Sequence, residues 1–280
     1  MNIKEIKIVA DSSADLLELS DIDFGVAPLK IITAEKEYID NSSLDVAAMV
    51  SDLATYKGRS SSSCPNASDW LDAFGDAKYI FCVTITSGLS GSYASAVMAK
   101  AEYEENHPDR RVFVLNSLSA GPELKLMIDK IKELCLAGLD FDTVCERVTE
   151  YTQSTGLLFM LESLKNFANN GRVKPIVAKA VGLLGIRMVG KASDEGELQP
   201  LDKCRGEQKA LKAILEHLKD EGLSNGMVII HHCQNQNAAD TLKGMVLSQF
   251  PNTSVEIAET LGLCSFYAEN GGMLVGFEKK

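Results

Sequence analysis

The sequence predicts an α/β protein with largely parallel strands, and three observations carry that prediction. Short apolar runs bounded by Gly, Ser, Asp and Asn recur along the chain. Segments of helical period alternate with many of them. At 280 residues, with 45% hydrophobic and 24% charged content, the chain has the length of about two domains and the apolar material for a sizeable core.

The first strand expected is Ile6–Ala10, which leads directly into Asp11, Ser12 and Ser13. Asp11 at a strand end, with Asp15 one helical turn on, is a place where parallel sheets put catalytic carboxylates. The same residues also make a turn and an N-cap, and that reading is preferred. Val26–Ile32 is the second run, and SSSSCPN at Ser60–Asn66 is a hydroxyl-rich loop ended by Pro65. Tyr79–Ile85 is the next strand. It passes through Thr86-Ser87-Gly88-Leu89-Ser90-Gly91-Ser92 into a helix on which Val97, Met98 and Ala101 share helical spacing and which ENHP stops. Val112–Leu115 follows as a strand, and Leu118–Ala137 carries a helical stripe. Leu157–Pro175 reads as one helix ending near Asn170-Gly171, where glycine can take the left-handed C-cap conformation. A domain boundary is placed near its start, dividing the chain into 1–155 and 156–280. Gly190–Pro200 is polar and turn-rich, an exposed hairpin or loop. Ala210–Lys219 is helical, and Met227–His231, Val255–Ala258 and Met273–Phe277 are the remaining strands.

Composition removes several functional classes. The 28 basic and 39 acidic residues leave a formal charge of −11, so counterion release gives little general drive toward nucleic acid. The seven cysteines are scattered and never form a CxxC pair, which argues against a disulfide framework and a zinc knuckle. No apolar run reaches the length of a membrane span, and MNIKEIKIVAD runs straight into a strand pattern, so a cytoplasmic protein is expected. Neither GxxxxGK[ST] nor GxGxxG occurs.

The loop from Thr86 to Ser92 carries the most chemistry. A strand that turns through Ser and Gly into a helix aims the first unpaired N–H groups of the helix at the loop, which suits an anion. Ser90 or Ser92 as a simple helix cap is the plainer alternative. Gly88-Leu89-Ser90-Gly91-Ser92 also approximates the G-x-S-x-G nucleophile elbow, with Ser in place of the last Gly. A serine ester hydrolase would then pair Ser90 with His231 or His232, at the end of GMVIIHH.

Taken in order, several motifs resemble the DegV family of bacterial fatty-acid-binding proteins over nearly the whole chain. They are VADSSADL, the segment Ser62-Ser63-Cys64-Pro65, TSGLSGSY from Thr86 to Tyr93, LESLKNFANNGRV, and DEGELQPLDKCRG. The resemblance implies two α/β domains with mostly parallel sheets and a lipid site between them. The first carries the Ser/Gly head-group loops and the second covers the acyl chain. It further implies a carrier that is not itself an enzyme, with no cofactor or metal, which binds a long-chain fatty acid and presents its carboxylate to a fatty-acid kinase for acyl-phosphate formation. Neither nucleic acid nor stable membrane insertion is implied.

Carried over by position, the carboxylate is held by the hydroxyls of Ser62 and Ser90 and the backbone N–H of Gly91. Ser62 stands where the family usually has threonine, which keeps the hydroxyl. Arg205 falls at the family's kinase-facing arginine, and Arg172 at an arginine that bridges the domains. The sequence departs from the family near its end. Where a histidine is usual, this chain has Ala268, flanked by Tyr267 and Glu269. A glutamate facing an acyl carboxylate would repel it or share its proton, so either Glu269 points away or the head group differs.

Overall fold

The computed structural model describes residues 1–174 and 185–279. Its first half runs β1 (Ile6–Asp11), β2 (Asp23–Ala27), β3 (Lys30–Ile32), β4 (Glu37–Ile39), α1 (Val46–Thr55), β5 (Ser61–Ser63) and α2 (Ala67–Phe74), then β6 (Tyr79–Thr84), α3 (Ser92–Asn106), β7 (Arg111–Asn116), α4 (Pro122–Leu136) and α5 (Phe141–Tyr151). The second half contains β8 (Thr155–Leu161), α6 (Lys165–Asn169), β9 (Ile186–Ala192), β10 (Leu198–Arg205), α7 (Glu207–Asp220), β11 (Gly226–His232), α8 (Gln236–Gln249), β12 (Thr253–Glu259), α9 (Gly262–Ala268) and β13 (Met273–Glu278).

The first sheet has the order β2-β1-β6-β7, and every pairing in it is parallel. Side chains alternate across a strand, so Ile6, Ile8 and Ala10 of β1 turn toward α4 and α5, while Val9 joins Trp70 and Phe74 of α2 and Ala96 and Ala99 of α3 on the other face. β1 lies between β2 on one side and β6 on the other. The loops leaving the carboxyl ends of β1 and β6 therefore diverge, and a crevice opens there.

The second sheet has the order β10-β9-β8-β13-β11-β12. Here parallel pairing is confined to β11 with β12, and the other pairings are antiparallel. The departure from largely parallel strands has a simple cause. β9 and β10 form a hairpin, which can only pair antiparallel, and β13 returns between β8 and β11 against the direction of both. One face carries α7 and α8 over Leu158, Met160, Val189, Val228, Ile230 and Val275. The opposite face carries Leu157, Phe159, Leu161, Ala192 and Leu198, and against it lie residues of α1, α9 and the small antiparallel sheet β4-β3-β5.

Other local expectations also give way. The expected helix Leu157–Pro175 begins instead as strand β8; only Lys165–Asn169 is helical, and Pro175 lies outside the described residues. Every residue of β8 is buried, and a continuous apolar run that is covered on both faces shows no period to separate strand from helix. The helix end is as expected: Gly171 has φ +74° and the Arg172 N–H donates to Phe167 O at 2.8 Å. Val26–Ile32 is two strands broken at Pro28, which has no N–H for the ladder. The stripe at Leu118–Ala137 becomes helical only at Pro122, since Leu118 sits at φ +54°. On α3 the period is right but the face is not. Val97 and Met98 are 40% and 66% exposed, and Ser92, Ala96, Ala99 and Tyr103 are buried instead.

Candidate functional site

A cavity of about 260 Å³ lies between the β6–α3 loop and the inner face of the second sheet. Its walls are apolar over most of their length: Leu157, Phe159 and Leu161 from β8, Leu198 from β10, Leu274 from β13 and Leu263 from α9. Leu29, Ile85 and Ala120 close the side that belongs to the first half of the chain. One group of polar residues, Ser62, Ser63, Cys64, Ser90 and Gly91, lies with Arg172 and Tyr267, and Thr86, Ser119, Lys191 and Glu197 also line the cavity. Thus Ser62 and the adjacent pair Ser90 and Gly91, 28 positions further along the sequence, line one space.

Each is positioned by a different element. Ser62 is the middle residue of β5 and pairs with the fully buried Ile31 of β3, so its backbone is fixed by a ladder. Ser90 and Gly91 end the loop that opens α3, whose N-cap residue Gly91 makes no side-chain capping bond. Ser90 Oγ accepts the Ser92 N–H at 3.2 Å, which leaves its own O–H to donate. The loop is held from beneath by Asp11. Its carboxylate accepts the Ile85 N–H at 2.9 Å, the Ser92 hydroxyl at 2.6 Å and the Ser13 N–H at 3.3 Å. Asp11 is fully buried and outside the cavity wall. Burial pushes its pKa up against the pull of those hydrogen bonds. It is the turn and cap residue expected, and it anchors the loop.

The β9–β10 hairpin, anticipated at Gly190–Pro200 as a hairpin or loop, closes the cavity from the side of the second sheet. Its turn rests on the Thr86–Gly88 segment. A Cβ at Gly88 would stand 2.9 Å from Glu195 O, and one at Gly196, where φ is +74°, would stand 2.9 Å from Leu118 O and collide with the Thr86 side chain.

Arg172 spans the gap between the two halves: its Nε donates to Leu89 O at 3.1 Å, and its guanidinium also bonds Asn170 O. Arg205 does not join this group. It is exposed at the far end of the eight-residue strand β10, roughly 23 Å along the strand from the cavity-lining Leu198.

The nucleophile-elbow alternative finds no base. His231 is fully buried with Nδ1 bonded to Asp15 at 2.9 Å, and His232 bonds Gln236 at 2.9 Å and accepts the Asn235 N–H at 3.2 Å. Neither lines the cavity or contacts Ser90. Among the described residues, Ser90 has no histidine partner.

Near the C-terminus, Ala268 lines the cavity and adds no polar group, and Glu269 is turned away. The Glu269 carboxyl faces Ser163, Lys165 and the backbone of Asn166, and burial raises its pKa. The hydroxyl at this place comes from Tyr267, whose Oη lies 2.8 Å from Ser62 Oγ. Burial likewise raises the Tyr267 phenol, with the Ser62 bond and Arg172 acting in the opposite sense. In the sequence Tyr267 stands out only as a neighbour of Ala268, and Leu157, Phe159 and Leu161 fall within the segment expected to be a helix. Alternate residues of an apolar run in a strand share a face, which is the signal that could have grouped those three.

The comparisons with known proteins agree with this architecture. The family model described as "Uncharacterised protein, DegV family" matches residues 5–280. The DegV domain-containing protein spr0652 of Streptococcus pneumoniae is 41% identical over 276 residues, covering 97% of this chain and 98% of that protein. Among solved structures, a DegV family protein of Eubacterium eligens loaded with heptadecanoic acid superposes with a TM-score of 0.96 at 40% identity, covering 98% of this chain and 100% of the other. The Streptococcus pneumoniae Fatty Acid Kinase (Fak) B3 protein loaded with linoleic acid gives a TM-score of 0.96 at 41% identity, covering 98% and 99%. With a family match across almost its full length and relatives above 40% identity, this chain belongs to the DegV family.

Proposed function

We propose that this protein binds a long-chain fatty acid in the cavity, with the carboxylate on the Ser62 and Ser90 hydroxyls and the Gly91 N–H, and presents it to a fatty-acid kinase. The observation that carries this reading is the cluster of two short hydroxyls and a helix N-terminus beside Arg172 and Tyr267, in a cavity walled mostly by Leu, Ile, Phe and Ala, where Thr86, Ser119, Lys191 and Glu197 add further polar groups. The solved relatives loaded with heptadecanoic and linoleic acid support the ligand class, and the Fak B3 protein supports the kinase as partner.

The tail dominates the energetics. Burying roughly fourteen methylenes at about 0.8 kcal/mol each gives on the order of 11 kcal/mol gross, offset by several kcal/mol of association cost. The head-group contacts set which end of the chain faces out. α3 contributes the positive end of its dipole, and Arg172 lines the same cavity.

In this reading residues 1–155 and 156–280 act as two domains, the first supplying the head-group loops and the second most of the tail wall. The protein is a cytoplasmic carrier, and phosphoryl transfer belongs to the kinase. No helix among the described residues is long and apolar enough to cross a membrane.

Organic extraction of the purified protein followed by mass spectrometry is the direct test. Recovery of C16–C18 acids is expected; an extract with no acyl compound, together with an apoprotein that takes up no fatty acid, overturns the proposal. Arg205 is assigned to the partner surface: Arg205→Glu is expected to leave fatty-acid binding unchanged and to slow acyl-phosphate formation when kinase and ATP are added.

A further inference from the structure

The cavity wall contains a pair of hydroxyls that is short of hydrogens. Ser62 and Tyr267 each bring one O–H, and with Oγ and Oη 2.8 Å apart one of the two hydrogens is used between them. A single hydrogen is left for a ligand, and which residue carries it decides how the site recognises its head group. A phenol is a stronger acid than a primary alcohol and so the better donor, which assigns the mutual hydrogen to Tyr267.

Both residues are held in place by their surroundings. Ser62 is set in the β5 ladder opposite Ile31, which fixes the backbone that carries its Oγ. Tyr267 is held on α9 with its ring 4.5 Å from that of Phe167 and 4.8 Å from that of Phe266, centroid to centroid. The two are 205 positions apart in the chain, and both line the cavity.

We propose that Tyr267 is a positioning residue for head-group recognition: its O–H donates to Ser62 Oγ, which turns the Ser62 hydrogen toward the ligand and tunes the site to a free carboxylate over an esterified one. A hydroxyl that is already accepting a hydrogen bond is polarised and donates more strongly, and a carboxylate profits from this more than an ester carbonyl does because it is charged. Because burial raises the Tyr267 phenol, it keeps its hydrogen through the neutral range. The inference rests on the fatty-acid reading above and adds to it the residue that sets the selectivity for free acid.

The test compares oleate with methyl oleate, each displacing a fluorescent fatty acid from delipidated full-length protein. Wild type is expected to prefer oleate. Tyr267→Phe keeps the ring and is expected to reduce the oleate-to-ester preference about tenfold while leaving methyl oleate affinity unchanged. Ser62→Ala removes the donor itself and is expected to reduce the preference at least as far without touching α9, and the double variant to match Ser62→Ala alone, because Tyr267 acts through Ser62. An unchanged preference in Tyr267→Phe overturns the inference. So does an equal loss for both ligands, which would mark a packing role, or a double variant in which the two single losses multiply. Wild-type protein that takes up neither ligand overturns the fatty-acid reading itself, so the two failures are distinct.

Discussion

Asp40 binds the start of α9 with both carboxylate oxygens, accepting the Gly262 N–H at 2.7 Å and the Leu263 N–H at 2.8 Å, while Asp15 accepts the Leu261 N–H at 2.7 Å. Two buried acids therefore hold the helix that carries Leu263, Tyr267 and Ala268 to the cavity. Burial lifts Asp40 from 3.8 to about 6, with Asp15 adding to the shift and the two N–H donors opposing it. Folding thus favours the protonated form, so the contribution of this group to stability is full below about 3.8 and is lost as pH rises through about 6. The stability of wild type relative to Asp40→Asn is expected to fall by up to about 3 kcal/mol between roughly pH 4 and pH 7. Urea titrations of both proteins across that range check it, and a flat difference counts against the assignment. In the proposed binding mode, Ser90→Ala removes one donor to a charged acceptor. Its expected effect on fatty-acid affinity is a loss of about 1.5–3 kcal/mol, with little change in thermal stability. Isothermal titration of delipidated protein with oleate, beside a melting curve, measures both.

The β9–β10 hairpin is the element on which cavity closure depends. Its turn can lie against Thr86–Gly88 only because Gly196 takes φ +74° and leaves no Cβ toward Thr86 and Leu118 O. Gly196→Ala would combine backbone strain with a collision, at a cost on the order of 1–3 kcal/mol. The expected result is a lower melting temperature and faster release of bound fatty acid, read by stopped-flow displacement. Elements also show where sequence patterns mislead. β5 consists of Ser61, Ser62 and Ser63, so it has no apolar residue to announce a strand and exists because β3 offers it an edge. α3 has the expected period, yet Val97 and Met98 face outward. Small residues Ala96 and Ala99 turn inward instead, allowing the helix to lie close to β7.

For the whole molecule, the cavity sits where both halves of the chain meet, so its occupant stabilises the assembled fold by linkage. Oleate at about 100 times its Kd is expected to add about 2.7 kcal/mol and to raise the melting temperature of delipidated protein by on the order of 5 °C. Calorimetry with and without oleate tests this, and no shift would mean that the ligand does not select the folded state. α4 ties the two sheets together. Leu124, Met127 and Ile128 pack in the first core, while the Glu123 N–H and Pro122 abut Gly276 of β13. The buried Glu123 carboxylate accepts hydroxyl hydrogens from Ser119 at 2.5 Å and from Thr155, at the start of β8, at 2.7 Å. The sequence by itself determined the α/β class and the strands β1, β6, β7, β11, β12 and β13, because local periodicity is written in neighbouring residues, while Ser62, Ser90 and Gly91 are singled out as carboxylate contacts by resemblance to a family and not by local pattern. Only the tertiary structure decided that β8 is a strand, that the second sheet is mainly antiparallel, that Glu269 faces away, and that Tyr267 meets Ser62. Those outcomes depend on which surfaces cover one another across 200 or so positions of chain, and no local pattern encodes a contact whose two sides are set by separate sheets.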